Sequence, residues 1–312
     1  MLRGGVRVLI TLLFAVAILT GSLLGIAGLE LPIDPLILVL VGAIFFTLRL
    51  GSLRSLRRAP RTILVALATN FVLIPLIALP ITLALPSEAL RLGVLIYCLA
   101  PCTDWFLGFT RLAGGDTVAG AALIPLQMLI QLLMYPIWMM LFAGESVAWM
   151  PETAGSTLVQ WFLVPAGIGI AAQLLVPRRW RRLAIDGVDA AVPFIIAVVI
   201  VAIFAGNVQT ILADPASFAW VLLAVFVFFA LTFALGEGLA RVFRLDHASH
   251  ALVTMTTSAR NAPLMLAVTT IALPDQPLVH AAIILGMLIE FPHLTALTHL
   301  LRRREVRHVL AA

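Results

Sequence analysis

The sequence predicts an all-α membrane protein with ten transmembrane helices. They are arranged as two inverted five-helix repeats, with the fourth and ninth helices broken and crossing. Three observations predict it. The 312 residues are 62% hydrophobic and only 11% charged, whereas soluble domains are about half apolar and about a quarter charged. Apolar runs long enough to span a bilayer, roughly 20 residues each, recur along the whole chain. The arginines between those runs fall in every second loop, as the positive-inside rule requires.

Taken in order, the first run is 8–28. It has the apolar core of a signal peptide, but the symmetry of the remaining chain needs it as a span. Runs 33–50 and 63–86 follow. The fourth, 89–109, is interrupted by "CLAPCTDW" at 98–105, and the fifth, 117–143, opens behind Asp116, a residue suited to an N-cap. The second half repeats the plan with 157–176, 184–206, 215–238, 248–273 and 277–300. Its ninth run carries "TMTTSARNAP" at 254–263. Residues 1–312 therefore form one transmembrane domain, with a first repeat over 8–143 and a second over 157–300.

Charge orients the spans. Arg3 and Arg7, "RSLRRAPR" at 54–61, "TRLAGGD" at 110–116, "PRRWRR" at 177–182, "RVFRLDH" at 241–247 and "RRREVRH" at 302–308 share one side. Glu30, Asp34, Glu88, Glu145, Glu152, Asp214 and Asp275 lie on the other, with Arg91. Positive loops stay inside, so both termini are expected in the cytoplasm of a bacterial inner membrane. The net charge of +5 is thus a topology signal, and no nucleic-acid partner is expected. Two cysteines, Cys98 and Cys102, offer no disulfide framework. No nucleotide-binding loop is present, and neither an enzyme activity, a cofactor nor a metal centre is expected.

Because the repeats are inverted, the fourth and ninth spans occupy equivalent places, and both hold a polar cluster beside a proline. Pro101 and Pro263 each lack an amide donor. Freed backbone at membrane depth is tolerated only inside protein or around a cavity. Secondary transporters place their sites at such facing discontinuous helices. Ionisable groups at that depth need a function or a partner, which singles out Asp104, Arg260 and Glu290. Asp104 and Arg260 can pair across the broken helices, either as a structural pair or within a substrate site. Glu290 has no cation near it in sequence. A bare charge in apolar surroundings is disfavoured, which makes Glu290 the natural proton carrier, with His293 a turn away. Ser258, Asn261, Gln127 and Gln131 add neutral hydrogen-bonding groups. Asn70 and Tyr135 fit helix–helix bonding equally well, and Cys98 fits packing.

These residues resemble the arsenite efflux carriers within the wider bile acid, arsenite and riboflavin transporter superfamily. That family's fourth span has a cysteine, then a Trp-Asn pair and Leu-Ala-x-Gly-Asp. Here Cys102 is followed by "RLAGGD", with Ala113, Gly115 and Asp116 at matching spacing. Gln127 stands at the family's fifth-span Asn, and Gln131 and Tyr135 fall on its Gln and Tyr. "NFVLIP" at 70–75 looks like its third-span Asn-aromatic-x-x-x-Pro, and "GMLIEFP" at 286–292 its tenth-span Gly-Pro-Leu-Ile-Glu-Val-Pro. Departures accompany the match. Pro101 replaces an Arg, Phe109-Thr110 replaces Trp-Asn, and Arg260-Asn261-Ala262-Pro263 replaces Asn-Asn-Phe-Glu. Either the charge is redistributed across one site, or the substrate has changed toward an anion.

The resemblance implies a bile acid:sodium symporter-like fold and a secondary active exporter of arsenite or antimonite in exchange for protons. The expected partners are a small inorganic oxyacid or small anion, protons or alternatively sodium, and the lipid bilayer. Cys102, Asp104, Asn261, Arg260, Ser258 and Gln131 are the expected substrate ligands, and Glu290 and Asp104 the coupling groups. The alternative on the same fold is a sodium-coupled symporter of an organic anion, with Arg260 gripping a carboxylate. A membrane sensor or scaffold with a structural polar core is the reading from another class.

Overall fold

The computed structural model of the protein describes residues 2–29, 31–47, 57–103, 105–142 and 164–311. Helix occupies nearly all of them: α1 (Leu2–Ile26), α2 (Ile33–Thr47), α3 (Pro60–Leu83), α4 (Glu88–Leu99), α5 (Phe106–Leu112), α6 (Thr117–Phe142), α7 (Val164–Leu175), α8 (Arg178–Ala213), α9 (Pro215–Val242), α10 (His247–Ser258), α11 (Ala262–Ala272) and α12 (Pro277–Ala311). Among the described residues, α3, α8, α9 and the Pro277–Arg303 part of α12 are each long and apolar enough to cross a bilayer. Each predicted run is mostly helical where it is described, and the fourth and ninth are each split in two.

The chain divides into two units. One comprises Met1–Leu48, Ala148–Pro215 and Pro263–Ile284. Within it α1 packs on α8, α8 on α2, and α2 on α7. On α1 the exposed Leu12, Val16, Leu19, Leu23 and Ile26 recur at three- and four-residue steps, while Phe14, Ala17, Gly21 and Gly25 are buried. That stripe is the lipid-facing side expected of a helix whose other face is packed. The buried side depends on absent side chains. A Cβ at Gly21 would stand 2.5 Å from the Val201 carbonyl oxygen, and one at Gly25 would stand 2.4 Å from that of Ala205. Small residues four apart let membrane helices approach this closely.

The other unit comprises Arg49–Val147, Ala216–Ala262 and Leu285–Ala312, and α10 packs there on α3, α5 and α6. Its α3 contains one π-helical turn over Thr69–Leu73, in which the Ile74 amide reaches back to the Thr69 carbonyl. Pro75 follows immediately and has no amide to continue the regular ladder. Such turns often mark functional positions, and this one carries the buried Asn70.

Capping sets where the split helices begin and end. Ser87 Oγ accepts from the Leu90 amide at the start of α4. Helix α4 ends at Leu99, and Ala100 after it is extended (φ −99°, ψ 102°), because a residue before proline is driven out of the helical region. After α5, Gly114 takes φ +79° and Gly115 donates to the Thr110 carbonyl at 2.8 Å, a left-handed helix stop. Asp116 then caps α6, its Oδ1 accepting from the Val118 and Ala119 amides at 2.9 and 3.0 Å. Asp246 does the same for α10 through the Ser249 amide at 3.0 Å.

Candidate functional site

Helix α4 stops at Leu99 and α5 starts at Phe106; α10 stops at Ser258 and α11 starts at Ala262. The extended linkers between them pair with each other. Cys102 N–H donates to the Ala259 carbonyl at 3.1 Å, and Asn261 N–H donates to the Ala100 carbonyl at 2.9 Å. Together they make a one-rung antiparallel bridge centred on Pro101 and Arg260. Two helix breaks thereby satisfy each other's backbone, which no solvent could do at bilayer depth. The second break lies at Ala259–Asn261 rather than at Pro263, which enters the first turn of α11. Proline is tolerated there, because first-turn amides have no intrahelical partner.

Arg260 is fully buried, and its guanidinium is held by neutral oxygens. Nη1 donates to the Cys98 carbonyl at 2.8 Å. Nη2 donates to Asn70 Oδ1 at 3.2 Å, to the Thr256 carbonyl at 3.3 Å, and to the Thr257 carbonyl. Cys98 is in the last turn of α4, and Thr256 and Thr257 are in the last turn of α10. The cation thus sits at the C-terminal ends of two helices, where the dipole leaves partial negative charge. The Phe228 ring centroid lies 5.6 Å from the guanidinium carbon, a stabilising arrangement for a cation.

Glu290 supplies the opposite charge. Its Oε1 accepts from the backbone N–H of Arg260 at 2.9 Å and from Trp105 Nε1 at 2.8 Å. Its Oε2 accepts from the Tyr97 hydroxyl at 2.9 Å. The Tyr97 hydroxyl also lies 3.1 Å from the Gly286 carbonyl. Gly286 and Glu290 share a face of α12 one turn apart. The glycine makes room for the tyrosine, since a Cβ there would stand 2.6 Å from the ring. His293 stacks on Phe229 with centroids 4.7 Å apart, which is a packing role.

The remaining predicted residues are placed as follows. Cys102 is buried within an apolar cluster that includes Phe106, Ala259 and Leu294. Asn261 Nδ2 donates to Thr103 Oγ1 at 2.9 Å, tying the two linkers together beside Cys102. Ser258 and Gln131 are fully buried. Ser258 Oγ, both side-chain polar atoms of Gln131, Gln127 Oε1 and Thr254 Oγ1 have no hydrogen-bond partner among the described residues. Gln127 Nε2 donates to Thr256 Oγ1 at 2.8 Å, which ties α6 to α10. Gln131 is one turn further along the same face of α6. Asp104 lies outside the described residues, so the proposed Asp104–Arg260 pair does too. Residues 54–56 of the arginine loop, Glu30, Glu145 and Glu152 also lie outside them.

Asn70, which the sequence leaves open between helix–helix bonding and the polar site, accepts from Arg260 while its Nδ2 donates to Thr256 Oγ1 at 3.4 Å. Two more residues join the cluster. Tyr97 and Trp105 went unremarked, although each donates to Glu290. The available signal was the rarity of tyrosine, with two in the chain, one of them buried in a span where its hydroxyl must find a partner. Cys98 is packed as expected, but its carbonyl oxygen serves the site.

Residues 35–214, more than half of the chain, match the Sodium Bile acid symporter family. The chain is also similar to a Bacillus subtilis (strain 168) protein described as "Uncharacterized sodium-dependent transporter YocS". The two are 26% identical over 251 residues, which cover 76% of this chain and 74% of the relative.

Proposed function

We propose, from the premise that this chain belongs to the Sodium Bile acid symporter family, that it exports a trivalent metalloid hydroxide in exchange for protons. At the coarser level the protein is a multi-pass membrane protein and a secondary transporter. The proposal adds ten crossings in two inverted fives, both termini in the cytoplasm of a bacterial inner membrane, and alternating access. A panel of spans rocks against a core that contains the crossed helices.

The observation that carries the proton reading is the double partnership of Tyr97. When Glu290 is charged, the Tyr97 hydroxyl donates to Oε2. When Glu290 is protonated, Oε2–H donates to the Tyr97 oxygen and the tyrosine donates to the Gly286 carbonyl. Oε1 keeps its two N–H donors in both states. Neither state leaves a buried polar group of this cluster unpaired, so a proton can come and go without the large cost of an orphaned group.

The substrate reading rests on charge and softness. Nη1 and Nη2 of Arg260 are engaged by backbone and amide oxygens. This leaves only Nε without a partner among the described residues and denies a carboxylate the two-pronged grip of a free guanidinium. Ser258 Oγ, Thr254 Oγ1, Gln127 Oε1 and the Gln131 amide are buried neutral groups with no partner among the described residues, which suits an uncharged hydroxylated solute. Cys102 is a soft ligand beside the crossing, and soft ligands favour soft metals and metalloids. In this reading Cys102 touches the metalloid, and Ser258, Gln131 and Asn261 meet its hydroxyls. Asp104 and Arg260 remain a structural pair or part of the substrate site.

Everted vesicles should accumulate arsenite when an inward-acidic gradient is imposed. Glu290→Gln should abolish the dependence on the gradient, and Cys102→Ser should cut accumulation at least about tenfold, equivalent to about 1.4 kcal/mol. Equal accumulation by wild type and Cys102→Ser removes the thiol from the mechanism; no accumulation by either removes the substrate. The relative's description as sodium-dependent favours the rival, sodium-coupled symport of an organic anion. Sodium-driven uptake with no arsenite movement would establish that rival.

A further inference from the structure

We infer that the Arg260 guanidinium is a built-in cation, occupying a site shaped for a monovalent metal ion and freeing this transporter from sodium. Four oxygens converge on it: the carbonyls of Cys98, Thr256 and Thr257, and Asn70 Oδ1. All are neutral, and none belongs to a carboxylate. Hard cations such as sodium take such carbonyl and amide oxygens as ligands. The location has the same meaning. In secondary transporters built on broken helices, unwound carbonyls and half-helix C-terminal ends hold the coupling cation. Here the last turns of both half-helices, α4 and α10, point their carbonyls at one buried positive charge, and that charge is covalently attached to the chain.

The attachment has a mechanistic consequence. A diffusible cation at this place would order the crossing when it bound and loosen it when it left, linking ion movement to conformation. A tethered guanidinium cannot leave, so the two half-helix ends are always neutralised and the crossing is always held. Coupling must then come from a group that can still change its charge. Glu290 is that group, joined to the same residue through the Arg260 backbone amide. This inference accords with the proton reading but needs no knowledge of the transported solute.

The test measures sodium directly, in the full-length protein in detergent. Wild type should bind no radioactive sodium saturably, and its Tm should be the same in sodium chloride and in choline chloride of equal strength. Saturable sodium binding by wild type, or a sodium-specific rise in its Tm, overturns the inference without any variant. Arg260→Ala empties the cage. Purified in sodium, it should bind sodium saturably, and its Tm should climb with the logarithm of sodium concentration, as linkage requires for a ligand of the folded state. Adding Asn70→Leu should weaken that binding. An Arg260→Ala protein that folds equally well in both salts overturns the inference. So does one that stays misfolded in sodium while Arg260→Lys, which keeps a tethered charge, folds. Failure of arsenite transport alongside these sodium results would leave the inference standing and remove only the substrate.

Discussion

At the scale of single residues, the site depends on shape as much as on charge. Glu290 keeps its position because three donors converge on it, and one of these, Tyr97, has its place only because position 286 carries no side chain. Gly286→Ala puts a methyl group into the tyrosine ring. We expect a stability loss of about 1–3 kcal/mol from overpacking, together with transport that no longer responds to the proton gradient. Tyr97→Phe keeps the ring and removes only the hydroxyl, so it should lose less stability, about 1 kcal/mol, yet the same gradient response. Thermal unfolding in detergent and vesicle uptake separate the two effects. A Gly286→Ala protein with a wild-type gradient response would exclude Tyr97 from proton handling.

At the scale of helices, close approach and capping place the elements. Gly25→Val sets a side chain against the Ala205 carbonyl, a backbone atom that cannot swing aside. The α1–α8 pair must therefore separate, and Tm should drop by an amount corresponding to about 1–3 kcal/mol. Val39→Ala, on an exposed position of α2, should have little effect. The α10 cap gives a pH prediction. The Ser249 hydroxyl, and then its amide, hold the Asp246 carboxyl below the usual carboxylate range. A carboxyl with a depressed folded-state value stabilises the fold above its unfolded value, about 3.9. That stabilisation is lost as pH falls through the folded value. Asp246→Asn retains a good cap, so it should match wild type near neutral pH and show a flatter Tm decline in acid. An acid limb as steep as that of wild type would show that other carboxylates govern it.

At the scale of the whole molecule, the proposed topology predicts that a fluorescent protein fused after Ala312 folds and fluoresces in the cytoplasm. A periplasmic phosphatase at the same place should be inactive. The reverse pair of results would invert the assignment of every arginine loop. The proposed orientation rests on loop charge, a local property carried by residues such as Arg178–Arg182 that need no tertiary partner.

Lipid as the solvent, helix as the dominant structure, and breaks in the fourth and ninth runs all follow from the sequence alone. Hydropathy and proline act on the chain locally, so the sequence carries them openly. That Glu290 and Arg260 need partners was equally legible, since a charge deep in an apolar run always demands an explanation. Only the tertiary structure decided what those charges contact. Arg260 is read from sequence as a partner for a carboxylate or an anion, yet its guanidinium meets the Cys98, Thr256 and Thr257 carbonyls and Asn70. Backbone oxygens are identical at every position of a sequence. Only where two helices stop, and which ends they bring together, turns some of them into a cation site.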